Sequence, residues 1–318
     1  MRRAIRRRPS PDDPRTADTP RTAIGPRATD GPRAAYGLRA AYGLRAAGGP
    51  RATYGLRAVR DPRPASVLGG ALLLAMVAAQ VATGLHPQPI RLTSTVVLLL
   101  AAGALTFATT AHAFPRAVAA FGAVVVTGYA AEWIGVRTGL PFGDYGYSDL
   151  LWPQLGGVPV IVALAWGGMG LAAHATAAAA APESRAGRLA LGALALTAWD
   201  LFLDPQMIRL NLWTWHDPGP YRGVPVGNFA GWLLVSLLVM ALIDHIVADP
   251  AARSTGLVSI YTVMAAMETI GFAAVFDPPD PLVATAGGIS MGLFALLAWR
   301  RGWRRPACVP GTFTGAGR

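Results

Sequence analysis

Lysine is absent from this chain of 318 residues, cysteine occurs once, and charged residues make up only 14% of it. Soluble domains usually carry about 25% charged residues, so this composition excludes an ordinary soluble protein. The single cysteine, Cys308, excludes a disulfide framework and a cysteine-based metal site within one chain. Hydrophobic residues make up 53% of the sequence, which also excludes a chain that is disordered throughout.

The positive charge is concentrated at one end of the chain. Residues 1–65 hold 15 Arg and 5 Asp, a net charge of +10 out of +11 for the whole sequence. An Arg recurs every six residues from Arg27 to Arg63, among 7 Gly and 9 Pro that a helix would not tolerate. We predict a disordered tail over 1–65 that either meets anionic lipid or has no function. Because the remaining residues are nearly neutral, we expect no nucleic-acid partner.

The remainder of the chain is rich in apolar segments of membrane-spanning length. About 20 apolar residues cross a bilayer as a helix, and helices satisfy their own backbone hydrogen bonds in lipid. We therefore predict an all-α, polytopic membrane domain over 66–300, followed by a cytoplasmic tail over 301–318. Eight spans are expected, of which the fifth is short: Ser66–Leu85, Thr93–Phe114, Ala117–Val136, Val158–Ala180, Leu189–Leu203, Phe229–Val247, Leu257–Phe276 and Leu282–Trp299.

The arginines then orient these spans, because loops rich in positive charge stay in the cytoplasm. With the basic tail inside, the inner loops and the C-terminus receive most of the arginines of the membrane domain. Both termini are therefore predicted to be cytoplasmic, in a multi-pass protein of the cell membrane. The inner arginines are Arg116, Arg185, Arg188, Arg253, Arg300, Arg301, Arg304 and Arg305, and the outer ones are Arg91, Arg137, Arg209 and Arg222.

Acidic residues inside the spans are the main candidates for a functional site, since burial of a carboxyl group is costly without a role or a partner. On the predicted topology, Glu132, Asp200, Asp204 and Glu268 all fall in the outer half of the membrane, which favours a shared site. Two structural alternatives remain open at this point. In the first, Asp204 ends a helix before a proline and faces water; in the second, Glu132 pairs with Arg137. Asp244, near the inner side, is expected to pair with His245 or an inner-loop arginine.

Two long outer loops, dense in Gly, Pro and aromatic residues, carry the most specific pattern of the chain. Together with the adjoining span ends, they resemble the membrane carotenoid biosynthesis proteins, a family that includes carotenoid hydratases. The resemblance covers roughly residues 66–299. Its motifs are Glu132 to Tyr147, Gly157-Val158-Pro159, Leu164-Ala165-Trp166, Trp199-Asp200, Asp204-Pro205, Trp213, Trp215, Tyr221, Gly223, Pro225, Asn228-Phe229 and Gly231-Trp232.

The resemblance implies a multi-span helical enzyme that needs no cofactor or metal. It also implies hydration of the terminal isoprenoid double bond of an acyclic carotenoid, held within the lipid bilayer. Such a reaction needs an acid, a stabilised carbocation and a positioned water. We hypothesise that Asp200 is the acid and that Glu132 or Asp204 positions the water. The predicted substrate contacts are Trp199, Trp213, Trp215, Tyr145, Asn228 and Glu268.

Four alternatives stay open on the sequence. A cyclase shares the protonation step, and a prenyltransferase would hold diphosphate through Mg²⁺ and clustered aspartates, of which only Asp200 and Asp204 are present. A proton-coupled transporter also uses intramembrane acids, although no inverted repeat is evident. A purely structural membrane protein would leave the four acids at one depth unexplained.

Overall fold

Eight long helices form the protein in a computed structural model that describes residues 63–86 and 90–303. All eight are long and apolar enough to cross a membrane, which confirms the predicted multi-pass, all-α fold. The segments that connect them are short, except for two loops after the third and fifth helices. The helices are α1 Arg63–Leu85, α2 Ile90–Ala111, α3 Phe114–Thr138, α4 Val160–Ala180, α5 Arg185–Arg209, α6 Val226–Ile246, α7 Thr255–Ile270 and α8 Pro281–Trp303.

The ends of the membrane domain differ slightly from the predicted bounds. Helix α1 begins at Arg63, three residues before the expected start, and α8 continues to Trp303. The predicted basic tail lies outside the described residues up to position 62. The predicted C-terminal tail likewise lies outside them from position 304 onward.

Helix α4 occupies the centre of the bundle and is the most completely buried of the eight spans. It is built largely of Ala and Gly, and small residues let neighbouring helices approach closely in a membrane protein. It packs against α2, α3, α5, α7 and α8. A Cβ atom at Gly168 would lie 2.8 Å from a side-chain carbon of Leu100 on α2, so the close approach of these two helices depends on glycine. The other helices surround α4 and carry the candidate site at one end.

The fifth span is longer than predicted, because α5 continues through Pro205 to Arg209. A proline lacks the N–H that would bond to the carbonyl four residues earlier, which here belongs to Leu201. That carbonyl instead accepts a hydrogen bond from the hydroxyl of Tyr221 over 2.9 Å. The prediction that α5 ends near Leu203 is therefore wrong, because a distant side chain replaces the missing donor. As a consequence, Asp204 stays inside the helix.

Helix α7 ends in a short π-helical segment, Gly271–Val275, which the hydropathy pattern did not predict. The turn widens directly after Ile270, and the chain then reaches α8 through a loop rich in proline. Extra residues in a helical turn of this kind often occur at functional sites. The segment packs against α1 and α8.

Two pairs of short strands cover the same end of the bundle. Strand β1, Tyr145–Tyr147, pairs antiparallel with β4, Trp213–Trp215, and β2, Gln154–Leu155, pairs with β3, Val158–Pro159. The loop that leads to β1 begins at Gly139, which ends α3 in a left-handed conformation (φ 72°) and bonds back to the helix. Only glycine adopts this conformation without strain. The two long loops thus join into one structure above the bundle.

Candidate active site

Glu132, in the last third of α3, is buried and holds three hydrogen bonds. The hydroxyl groups of Tyr145 and Tyr147 both donate to its Oε2, the latter over 2.7 Å, and the indole N–H of Trp166 donates to Oε1 over 3.0 Å. The two tyrosines are two residues apart on β1, so their side chains share one face of the strand. Burial, with a contribution from the adjacent carboxyl group, raises the pKa of both tyrosines. Both hydroxyls therefore remain protonated donors.

Two more carboxyl groups lie on α5, where Asp200 and Asp204 share a helix face. The side-chain amide of Asn228, at the start of α6, donates to Oδ2 of Asp200 over 2.7 Å and to Oδ2 of Asp204 over 2.6 Å. The indole N–H of Trp213 donates to the other oxygen of Asp204 over 3.1 Å. The two Oδ2 atoms share one donor nitrogen, which holds the two carboxyl groups next to each other. Asp200 and Asp204 therefore act as one buried pair.

Glu132 and Asp204 line the same small cavity, which we call the acid cavity. Asn228 also lines it, whereas Asp200 lies behind Asp204 and is completely buried. The other walls are almost entirely aromatic. They are formed by Phe142, Tyr145, Tyr147, Trp213, Trp215 and Trp232, with Val162 and Leu203.

The aromatic walls are fixed by contacts among the rings. Trp166 stacks on Trp232 with ring centroids 4.1 Å apart, and Tyr145 packs against Trp215 at 5.7 Å. The indole of Trp215 also donates to the carbonyl of Phe142 over 3.0 Å. Electron-rich ring faces around two carboxyl groups form a site that suits a positively charged intermediate in an apolar ligand.

Two apolar chambers adjoin the acid cavity. The middle chamber shares four of its lining residues with the acid cavity. The outer chamber, which is the larger of the two, lies between α1, α2, α5 and α7 and shares five lining residues with the middle chamber. Leu203 lines all three spaces. The residues shared by acid cavity and middle chamber are Val162, Leu203, Trp213 and Trp232, and those shared by middle and outer chambers are Thr93, Val97, Trp199, Leu203 and Met207.

The structure brings most of the predicted site residues together, but not all at one point. Glu132, Asp204, Asn228, Tyr145, Trp213 and Trp215 line the acid cavity, and Asp200 contacts Asp204 behind it. Trp199 lines the two chambers instead and meets Trp232 edge-on, with ring centroids 6.1 Å apart. Glu268 lines the outer chamber, away from the other acids.

The structural alternatives for the acids are resolved by these contacts. Asp204 is buried within α5, so the interpretation that it ends a helix and faces water is wrong. Arg137 lies over the ring of Trp133, 4.0 Å from its centroid, and donates to a backbone carbonyl rather than pairing with Glu132. Asp244 pairs with Arg185 and Arg188 at the opposite end of the bundle, as expected for an inner-loop partner.

Four residues of the site were not among the predicted ones: Phe142, Tyr147, Trp166 and Trp232. The alternation of Tyr145 and Tyr147 is the signal that predicts a second tyrosine on the same strand face. Trp166 and Trp232 lie within the motifs of the resemblance, but nothing in the local sequence indicates that they stack. Among residues 63–86 and 90–303, no three His, Cys, Asp or Glu side chains form a group that would hold a metal ion.

Comparison with known proteins gives one family and one relative of note. Residues 93–293 match the family described as carotenoid biosynthesis protein. Over 186 residues, the chain is 31% identical to the bisanhydrobacterioruberin hydratase of Haloarcula japonica, a match that covers 56% of this chain and 61% of that protein. The match thus spans less than two thirds of the relative. No solved structure matches the chain. Because the family match covers more than half of its length, the chain belongs to the carotenoid biosynthesis protein family.

Proposed function

We propose that this protein hydrates the terminal isoprenoid double bond of an acyclic carotenoid end group. The observation that carries the proposal is the acid cavity, where Glu132 and Asp204 line the same space within aromatic walls. The name of the relative from Haloarcula japonica, a hydratase of a carotenoid, agrees with this chemistry. Hydration adds one water across a carbon–carbon double bond. It needs a proton donor, a group that stabilises the cation and a base that accepts a proton from water.

The proton comes from the aspartate pair. Two carboxylates in contact away from water repel each other, so we expect Asp200 and Asp204 to share a proton. Asp204 is the member that lines the cavity, and we assign it the transfer to the less substituted carbon of the double bond. Asp200 then acts as its partner in the pair. This refines the hypothesis from the sequence, in which Asp200 itself was the acid.

Protonation breaks the π bond and leaves a tertiary carbocation at the more substituted carbon. The rings of Tyr145, Trp213 and Trp215 line the cavity in which such a cation would form. A desolvated aromatic face stabilises a cation by about 2 kcal/mol. Their indole and hydroxyl hydrogens are already bonded to other groups, so the rings are held in place.

Water then forms the new carbon–oxygen bond and loses a proton. We assign the acceptance of that proton to Glu132, whose side chain lines the cavity from α3. A positioned carboxylate contributes roughly 10²–10⁴-fold to such a step as a general base. Tyr145, Tyr147 and Trp166 orient the carboxyl group and are positioning residues. The proton finally returns to the aspartate pair, so that the cycle closes without a cofactor.

The middle and outer chambers are assigned to the polyene chain of the substrate. Their walls are apolar, and the outer chamber is lined by Val81, Leu85, Ile270 and Val275, all exposed on the lateral face of the bundle. In a multi-pass protein this face meets lipid, so a carotenoid would enter sideways from the bilayer.

Both termini are proposed to be cytoplasmic on the basis of the arginine distribution, and a reporter enzyme fused to the C-terminus would test this orientation.

The test is expression in a host that accumulates acyclic carotenoids, with mass analysis of the pigments. Wild-type protein should add one water per modified end. Asp204→Asn and Glu132→Gln should each lower the yield at least 100-fold, the low end of general acid–base catalysis. Asp149→Asn, an exposed acid in the loop after β1, is the matched control. Equal yields from wild type and both variants, at equal protein levels, would overturn the roles; a product of unchanged mass with a ring would indicate a cyclase.

A further inference from the structure

The outer chamber contains a polar group that the proposed hydration does not use. Glu268, on α7, is 8% exposed and lines the chamber, yet no described residue donates a hydrogen bond to it or pairs with it. The other buried acids of the described residues all have hydrogen-bond donors. A buried carboxyl group without a partner is costly, and a ligand that supplies a donor would offset this cost.

A second unsatisfied acceptor lies on the facing helix. The side chain of Gln80, on α1, also lines the chamber, and its Oε1 is buried with no hydrogen-bond partner. Its amide nitrogen contacts only the sulfur of Met264, at 3.3 Å. Gln206, on α5, contributes a third polar side chain to the same wall. Three helices thus contribute polar side chains to the lining of an otherwise apolar space.

The backbone beside these groups is also irregular. The π-helical segment Gly271–Val275 begins three residues after Glu268, and both of its end residues line the chamber. A Cβ atom at Gly84 of α1 would lie 2.6 Å from a methyl group of Val275, so α1 approaches the segment as closely as glycine allows. π-helical turns of this kind occur frequently at functional sites. A π-helical turn and a close helix contact at glycine therefore form part of the wall of the chamber.

The chemistry of these groups selects one class of ligand. The chamber continues into the middle chamber through Trp199, Leu203 and Met207, so its occupant is largely apolar. Glu268 and the Oε1 of Gln80 both lack a hydrogen-bond donor. A hydroxyl group supplies a donor, and a carboxyl group accepts from it in either protonation state.

We propose that Glu268 and Gln80 bind a hydroxyl group carried on the isoprenoid chain, away from the double bond that reacts, and thereby select hydroxylated substrates. This rests on the proposed function in one respect, that an isoprenoid occupies the chambers. Glu268 is then a specificity-determining residue, and Asp204 and Glu132 remain the groups that act on the end group.

Binding to the purified full-length protein in detergent tests this without any turnover. The probes are geranylgeraniol and its methyl ether, which has the same chain and oxygen but no hydroxyl hydrogen to donate. Ligand-induced shifts in thermal unfolding give the two dissociation constants. Wild-type protein should bind the alcohol about 10-fold more tightly, the factor expected for one hydrogen bond to a buried group.

Glu268→Met, which keeps the size of the side chain, should reduce the ratio to about 1, and Glu268→Gln should keep part of it because an amide still accepts. Glu183→Met, an exposed glutamate at the opposite end of the bundle, is the matched control and should keep the wild-type ratio. Equal binding of alcohol and ether to wild-type protein, or an unchanged ratio in Glu268→Met, would overturn the proposal. Failure of hydration in the pigment assay leaves this ratio untouched, so the two proposals fail separately.

Discussion

Asn228 offers the sharpest test of the aspartate pair, because a single amide donates to both carboxyl groups. Asn228→Leu keeps the volume of the side chain and removes both hydrogen bonds, so no large cavity contributes to the effect. Asn228 is 1% exposed, so bulk solvent does not reach the two carboxyl groups to replace the lost donor. The variant should therefore be destabilised and should also lose hydration activity.

The magnitude follows from the two bonds. Hydrogen bonds between membrane helices contribute about 0.6 kcal/mol each on average, whereas those to charged groups contribute roughly 1.5–3 kcal/mol. Distances of 2.6 and 2.7 Å are short, and the carboxyl groups left behind repel each other. We expect a loss of about 3 kcal/mol in the free energy of unfolding. For a domain of this size, that corresponds to a fall in Tm of roughly 6–12 °C.

The assay is thermal unfolding of the purified protein in one detergent. Ser236→Ala is the matched control, since Ser236 lies on the same helix, is buried and has no hydrogen-bond partner in the described part of the chain. It should change Tm by less than about 2 °C. The double variant Asn228→Leu/Asp204→Asn then measures the coupling between the two residues. A loss below about 1 kcal/mol in Asn228→Leu, or additivity of the double variant within about 0.5 kcal/mol, would refute the reasoning.

Two further predictions concern residues that hold the site in shape. Gly128→Ala places a Cβ atom 2.5 Å from the ring of Trp166. Overpacking at this contact should lower the free energy of unfolding by about 1–3 kcal/mol. The control is Gly122→Ala on the same helix, which has no atom within 4 Å of its Cβ and should not destabilise the protein. Tyr221→Phe leaves the carbonyl of Leu201 without its donor and should cost about 1–3 kcal/mol, read as a fall in Tm together with lower hydration activity.

Either result has a clear contrary outcome. Equal Tm values for the alanine variants at positions 128 and 122 would mean that the tryptophan is not held against α3. Wild-type Tm in Tyr221→Phe would mean that the proline in α5 needs no substitute donor. The hydroxyl of Tyr129, which donates to a loop carbonyl over 3.1 Å at an exposed position, provides the comparison for tyrosine-to-phenylalanine changes.

Hydropathy alone determines the eight spans of this protein, because the membrane requires each segment to bury its own backbone polar groups and an apolar run of about 20 residues does so as a helix. The acids at one depth also follow from the sequence, since their distance from the span ends fixes their height in the bilayer. That is why Glu132, Asp200 and Asp204 were predicted to share a site, and why the motifs of the resemblance coincide with its walls.

Only the tertiary structure decided which acids meet. Glu268 lies at a similar height to Asp204 but lines a different chamber, because the direction of a side chain depends on how each helix is rotated and packed. The continuation of α5 through Pro205 likewise depends on Tyr221, a residue 20 positions away from the carbonyl it satisfies. Local sequence contains no trace of such a partner, since the hydrogen bond forms only when the loop before α6 folds over the end of α5.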